Sequence, residues 1–176
     1  MHRSRLTGSF RLDRVRSMLI DDLALARAIH VLSLVHWIGG VSVVTTIVLP
    51  NARRLPDAAR AVAAFESFES RFAQQARVSI LLAGLSGVYM LMKLDAWSRF
   101  AYVSFWWLHL MVAVWFLFAV MIYVLEPLAI HRLFHDYALR NKDRAFALAT
   151  WLHAAALAVS TLAIGAGVFG AHGGLP

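Results

Sequence analysis

The chain contains no cysteine among its 176 residues. That absence excludes disulfides, thiolate metal sites, c-type haem attachment and iron–sulfur clusters held by cysteine. Charge is also scarce. Only 15% of residues are charged, where a soluble domain carries about a quarter. Acidic residues are the scarcer sign, 10 against 17 lysines and arginines. There is no phosphate-binding glycine loop, no hydrolase triad and no zincin motif, so the common soluble enzyme classes find no support here. What is abundant is apolar surface: 60% of residues are hydrophobic, and mean hydropathy is +0.65. These values describe one all-α integral membrane domain. The net charge of +7 comes mostly from arginines in tails and loops. It fits membrane topology and anionic headgroups better than a nucleic-acid partner.

Uncharged runs locate the helices. Residues 28–50, 78–92, 100–125 and 145–176 carry no charged side chain. A spanning helix needs roughly 20 residues. The second run falls short, but Arg77 and Lys93 flank it and their stems can snorkel. Four spans are therefore expected, at about 24–49, 73–94, 102–126 and 146–170. They form a four-helix bundle (24–170) between a basic tail (1–23) and a short C-terminal tail (171–176). Met18 offers a second start that would remove most of the basic tail. Pro50 and Pro56 mark the first turn. After it, Phe65, Phe68 and Phe72 recur at helical spacing among Arg60, Glu66, Glu69 and Arg71. This predicts an amphipathic helix that leads into the second span. Residues 126–144 read as a charged loop opened by Glu126-Pro127. Trp97, Tyr102, Trp106 and Trp107 resemble an interfacial aromatic belt.

Four histidines lie inside these spans: His30, His36, His109 and His153. Ionisable side chains in hydrocarbon are costly, face a bundle interior or cavity, and mark sites. Neutral imidazole is also a common ligand for iron, copper and zinc. At about 1.5 Å per residue, His30 and His109 are expected at one outer level, and His36 and His153 at one inner level. Span one would then serve two sites, because six residues turn His36 about 120° from His30. One or two haem b groups with bis-histidine ligation fit that expectation. Arg27, one turn above His30, suits a haem propionate or a lipid headgroup. Gly39 and Gly40, after Trp37, open space for a porphyrin face or for close helix packing. At the outer end, His172, Met90 and Met92 join His30 and His109 as a soft nitrogen–sulfur set for copper. His131 and His135, four residues apart, share a helix face but lie in the charged segment.

The stretch from Arg27 through His30 and His36 to Trp37-Ile38-Gly39-Gly40 resembles the opening helix of small CopD-like (copper resistance protein D-like) membrane proteins. Arg71-Phe72 before span two, Gly84 to Gly87 within it, and the third-span histidine followed by a basic segment match the same pattern. The resemblance covers most of residues 24–170. It implies four membrane helices with outside termini and roles in copper handling. A more distant likeness is to HemJ-type protoporphyrinogen oxidases and di-haem membrane cytochromes b.

Three functions follow as expectations. The first is a haem b protein of the bacterial inner membrane, with periplasmic termini. It would move electrons across the membrane or between quinol and a redox partner protein. The second is copper transport or resistance without haem. The third is a structural or accessory subunit surrounded by membrane lipid, including one that pairs as a homodimer.

Overall fold

The computed structural model describes residues 21–174, without the side chains of 129–131. The basic tail before residue 21, the alternative start Met18 and the His131 side chain lie outside the described residues. Four long apolar helices are present: span one Asp22–Arg54, span two Ala58–Lys93, span three Val103–Leu128 and span four Lys142–Ala171. No strand occurs among the described residues. The chain is a multi-pass, all-α membrane protein.

The spans form a ring. Span one packs along span two, span two against span three, span three against span four, and span four back against span one. Trp37 fills the centre. It is 2% exposed and meets the Phe118 ring edge-on at 4.6 Å. Val41, Ala76 and Ile80 are buried with it, and Trp115, Ile122 and Leu157 close the cluster from spans three and four. Each polar atom in this apolar setting needs a partner within the protein. Thr45, Thr46, Ser86, Thr150, Ser160 and Thr161 each donate to the carbonyl four residues earlier.

Glycines set how closely the helices approach. The Phe72 ring occupies the notch at Gly40, Trp115 that at Gly84, and Trp107 that at Gly170. Trp115 also donates from Nε1 to the Ile80 carbonyl at 2.8 Å. A side chain at Gly84 would collide with that indole, so the absence of a Cβ is what permits the bond. Gly39, by contrast, faces open space.

Two segments differ from the sequence expectation, each for a local reason. Pro50 does not end the first helix. It lies in the first turn of Leu49–Arg54, where a missing N–H costs little, and a π-helical stretch, Val44–Val48, precedes it. The chain turns instead at residues 55–57. The amphipathic segment leads into span two, as its sequence predicts. It is continuous with span two as one helix of 36 residues, about 54 Å long. Its apolar face meets protein: Ala61, Val62 and Phe65 are buried with Leu49, Ala138, Ala145 and Phe146. Residues 126–144 are helical rather than looped. Pro127 lies in a π-helical stretch, Met121–Ile130, and the helix His131–Arg140 follows. The i to i+5 pattern accommodates the missing proline donor.

Ion pairs mark both ends. At the outer end, Lys93 Nζ lies 2.6 Å from Asp22 Oδ2, and Tyr89 donates its hydroxyl to the same carboxylate. At the inner end, Arg53 meets Asp143 at 3.6 Å. Asp22 and Arg53 are 31 residues apart on span one, about 46 Å. That exceeds the roughly 30 Å of hydrocarbon, so the inner cluster around Phe65 and Phe146 extends the bundle beyond the bilayer core.

Candidate functional site

The four span histidines lie at four depths rather than two. His30 reaches across to span two, between Ala83 and Gly87. Trp115 packs on Gly84 at that same level. Six residues up span three, about 9 Å nearer the outer face, is His109. Its Nδ1 is 3.0 Å from the Phe105 carbonyl, and its Nε2 is 3.1 Å from the Phe100 carbonyl. It therefore belongs to the outer mouth. Counting from an assumed span start misplaced it, because residues 97–105 form short 3-10 turns before the regular helix begins at Trp106. On span one, His36 is about 9 Å deeper than His30. Span four is aligned by Met111 packing on Gly167. From that alignment His153 falls about 15 Å below His30.

The described imidazoles do not converge, and all but one are engaged separately. His30 Nδ1 lies 2.9 Å from the Ala83 carbonyl and 3.1 Å from Ser86 Oγ. A carbonyl only accepts, so Nδ1 carries the proton and Nε2 keeps its lone pair. His153 makes the same bond within its own helix, to Ala149 O at 2.9 Å. The exposed His172 does so to Val168 O at 2.7 Å. His135 faces the Glu66 carboxylate at 2.8 Å, a pairing of the amphipathic segment with the short helix that the sequence did not reveal.

His36 is different. Among histidines with a described side chain, it alone makes no hydrogen bond. Adjacent helical residues point about 100° apart, so the inward-facing Trp37 directs His36 to the flank of the bundle. There it lines a groove of about 400 Å³ between spans one and two. Leu32, Val78 and Leu82 form the apolar walls, and Ser33, Gln75 and Ser79 complete the lining. Ser33 donates to the Ile29 carbonyl at 2.7 Å. Gln75 and Ser79 have no hydrogen-bond partner among the described residues. Ser79 departs from the back-bonding of most other span hydroxyls, and it is buried beside the groove that His36 lines. Neither residue was a candidate from sequence; a serine or glutamine in an apolar helix gives no signal until its partners are known.

A second unanticipated group lies on the other side of span two. Arg77 pairs with Glu126 of span three, and Tyr123 donates to the Arg77 carbonyl at 2.6 Å. Arg77 is 16 residues from Lys93 on the same helix, about 24 Å. The pair therefore lies within hydrocarbon depth and must be satisfied internally.

The donor chemistry of His30, His36 and His153 suits haem iron, since each retains a ring nitrogen without a partner. The packing is less accommodating. The notches at Gly40, Gly84 and Gly170 hold the chain's own aromatic rings, and Trp37 and Phe118 occupy the centre. A porphyrin would need a seat on the flank, where His36 is the imidazole available. Arg27 is exposed beside His30's helix turn, and Met92 and His172 are exposed at the outer end. No group of three or more histidine, aspartate or glutamate side chains capable of holding a metal ion occurs among the described residues. No family model, curated protein or solved structure matches this chain.

Proposed function

We propose that this protein is a small electron-transfer component of the bacterial inner membrane, and that its lipid-soluble redox group binds at the flank groove of spans one and two. His36 carries the reading. An imidazole without a partner, inside a span and open toward lipid, is costly unless something binds it. A haem b at the same groove is the second reading, favoured by the free ring nitrogens of the span histidines. When bound, such a haem would supply a one-electron couple. The CopD-like resemblance and its copper role rest on the sequence motif alone.

We place the termini on the periplasmic side. Arg53, Arg54, Arg60, Arg71, Arg132, Arg140, Lys142 and Arg144 cluster toward the inner end, against Arg27, Lys93 and Arg99 toward the outer end. With a start at Met18 this asymmetry agrees with positive-inside topology, whereas Arg3, Arg5, Arg11, Arg14 and Arg16 of the full sequence balance it.

The test is a reduced-minus-oxidised visible spectrum of the purified protein, with solvent extraction of co-purifying redox lipids. An extractable redox lipid supports the first reading, and a haem signal lost in His36→Ala supports the second. Protein from haem-replete cells that carries neither is a structural subunit.

A further inference from the structure

We propose that the groove between spans one and two is a headgroup site for a quinone, held by His36, Gln75 and Ser79. The inference rests on the reading of the groove as a redox site and names the class of ligand it takes. Three polar side chains without internal partners face one groove, while most other span hydroxyls are satisfied on their own backbone. In hydrocarbon no water supplies the missing bonds. A bound molecule with hydrogen-bonding groups does.

Depth narrows the class. His36 and Ser79 each lie 14 residues from the outer ion pair of Asp22 and Lys93, about 21 Å. His36 is 17 residues from Arg53 at the inner end, about 26 Å. Because the bundle extends beyond the roughly 30 Å of hydrocarbon at its Arg53 end, the groove lies in the inner half of the membrane, and a phospholipid headgroup anchored at the outer interface does not reach it. An acyl chain reaches it but leaves the polar groups unpaired. No carboxylate lines the groove, which argues against a cation. The nearest arginine, Arg77, is committed to Glu126 on span three, which argues against an anion. A neutral polar ring on an apolar tail meets both conditions.

The donor inventory fits both redox forms. The Gln75 amide, the Ser79 hydroxyl and one imidazole N–H donate to the carbonyls of a quinone. The second imidazole nitrogen and the Gln75 oxygen accept from the hydroxyls of a quinol. Leu32, Val78 and Leu82 cover the ring faces, and the lipid-facing opening lets an isoprenoid tail remain in the bilayer. The volume, about 400 Å³, is at the smaller end of ligand sites, which run roughly 300–1,000 Å³.

The experiment uses the full chain in lipid nanodiscs, with decylubiquinone and a naphthoquinone analogue as probes. Binding is followed by tryptophan fluorescence quenching, and the contact is mapped by photolabelling with an azido-quinone. Saturable binding is expected, with labels on peptides containing His36 and Ser79. Removing one net hydrogen bond weakens binding about 3- to 10-fold, so His36→Phe and Ser79→Ala should each show that loss. His36→Gln should recover part of it. Circular dichroism and a monodisperse elution profile confirm that each variant is folded. Absence of saturable binding overturns the proposal, as does affinity unchanged in both His36→Phe and Ser79→Ala. So does a dimer that His36→Phe dissociates, because a second copy then fills the groove. A haem spectrum lost in His36→Phe overturns the quinone assignment while leaving the electron-transfer reading intact. Neither haem nor quinone at the groove removes both.

Discussion

Replacing His30 and His36 separately should have different consequences for stability, although the two residues are about one and two-thirds turns apart on one helix. His30 joins spans one and two through bonds of 2.9 Å to Ala83 O and 3.1 Å to Ser86 Oγ. Polar contacts between membrane helices average about 0.6 kcal/mol and reach about 1.7. His30 is half-buried against Gly87, so truncation also loses packing there. His30→Ala should therefore cost about 1–2 kcal/mol, near a tenfold change in the folding equilibrium. His36 makes no bond to lose. His36→Ala should be neutral or slightly stabilising, since it removes an unpaired polar group from an apolar setting. The assay is reversible unfolding of the full chain in mixed micelles, titrated with sodium dodecyl sulfate and followed by tryptophan fluorescence. It must be run without added quinone, because a ligand bound only to the folded state would stabilise the parent protein. The doubly substituted His30→Ala/Ser86→Ala chain should show coupling on the order of 0.5 kcal/mol. Equal losses at both histidines, or a larger loss at His36, would refute the assignment of His30 to structure and His36 to a ligand.

The two adjacent glycines separate in the same assay. Gly40→Ala should lose about 1–3 kcal/mol by driving a methyl into the Phe72 ring, while Gly39→Ala, facing open space, should not destabilise. Arg77→Ala, leaving Glu126 unpaired, should cost about 3 kcal/mol; Arg77→Met with Glu126→Leu should recover most of it, which differential scanning calorimetry can check. The absence of native cysteine makes topology accessible. Single substitutions Ser98→Cys and Arg140→Cys in intact cells should react with an impermeant maleimide from the periplasmic side and only after lysis, respectively. The reverse pattern would overturn the proposed orientation.

Some of this protein was legible in the sequence because hydrocarbon is a demanding solvent. Uncharged runs such as 100–125 announce spans without reference to any partner. Only helices satisfy their backbone groups inside a bilayer. Even the 120° between His30 and His36 follows from helical pitch, and the structure keeps it: one ring enters the seam with span two, the other faces the flank. Depth was less accessible. The level of His109 depends on where a regular helix begins, and the 3-10 turns before Trp106 shift that start without leaving a mark in composition. Proline was misleading for a related reason. Pro50 and Pro127 break an isolated helix, but π-helical stretches beside or around them absorb the missing donor.

The sequence by itself determined the solvent, the number of spans and the presence of costly imidazoles, since these depend on each residue's own hydropathy and spacing. The tertiary structure alone decided which of those imidazoles has a partner. Hydrogen bonding is a pairwise property between residues distant in the chain, such as His30 with Ala83 or Arg77 with Glu126. For the same reason it brought Gln75 and Ser79 into view. Nothing about either residue taken singly distinguishes it, and only the absence of a nearby donor or acceptor sets it beside His36.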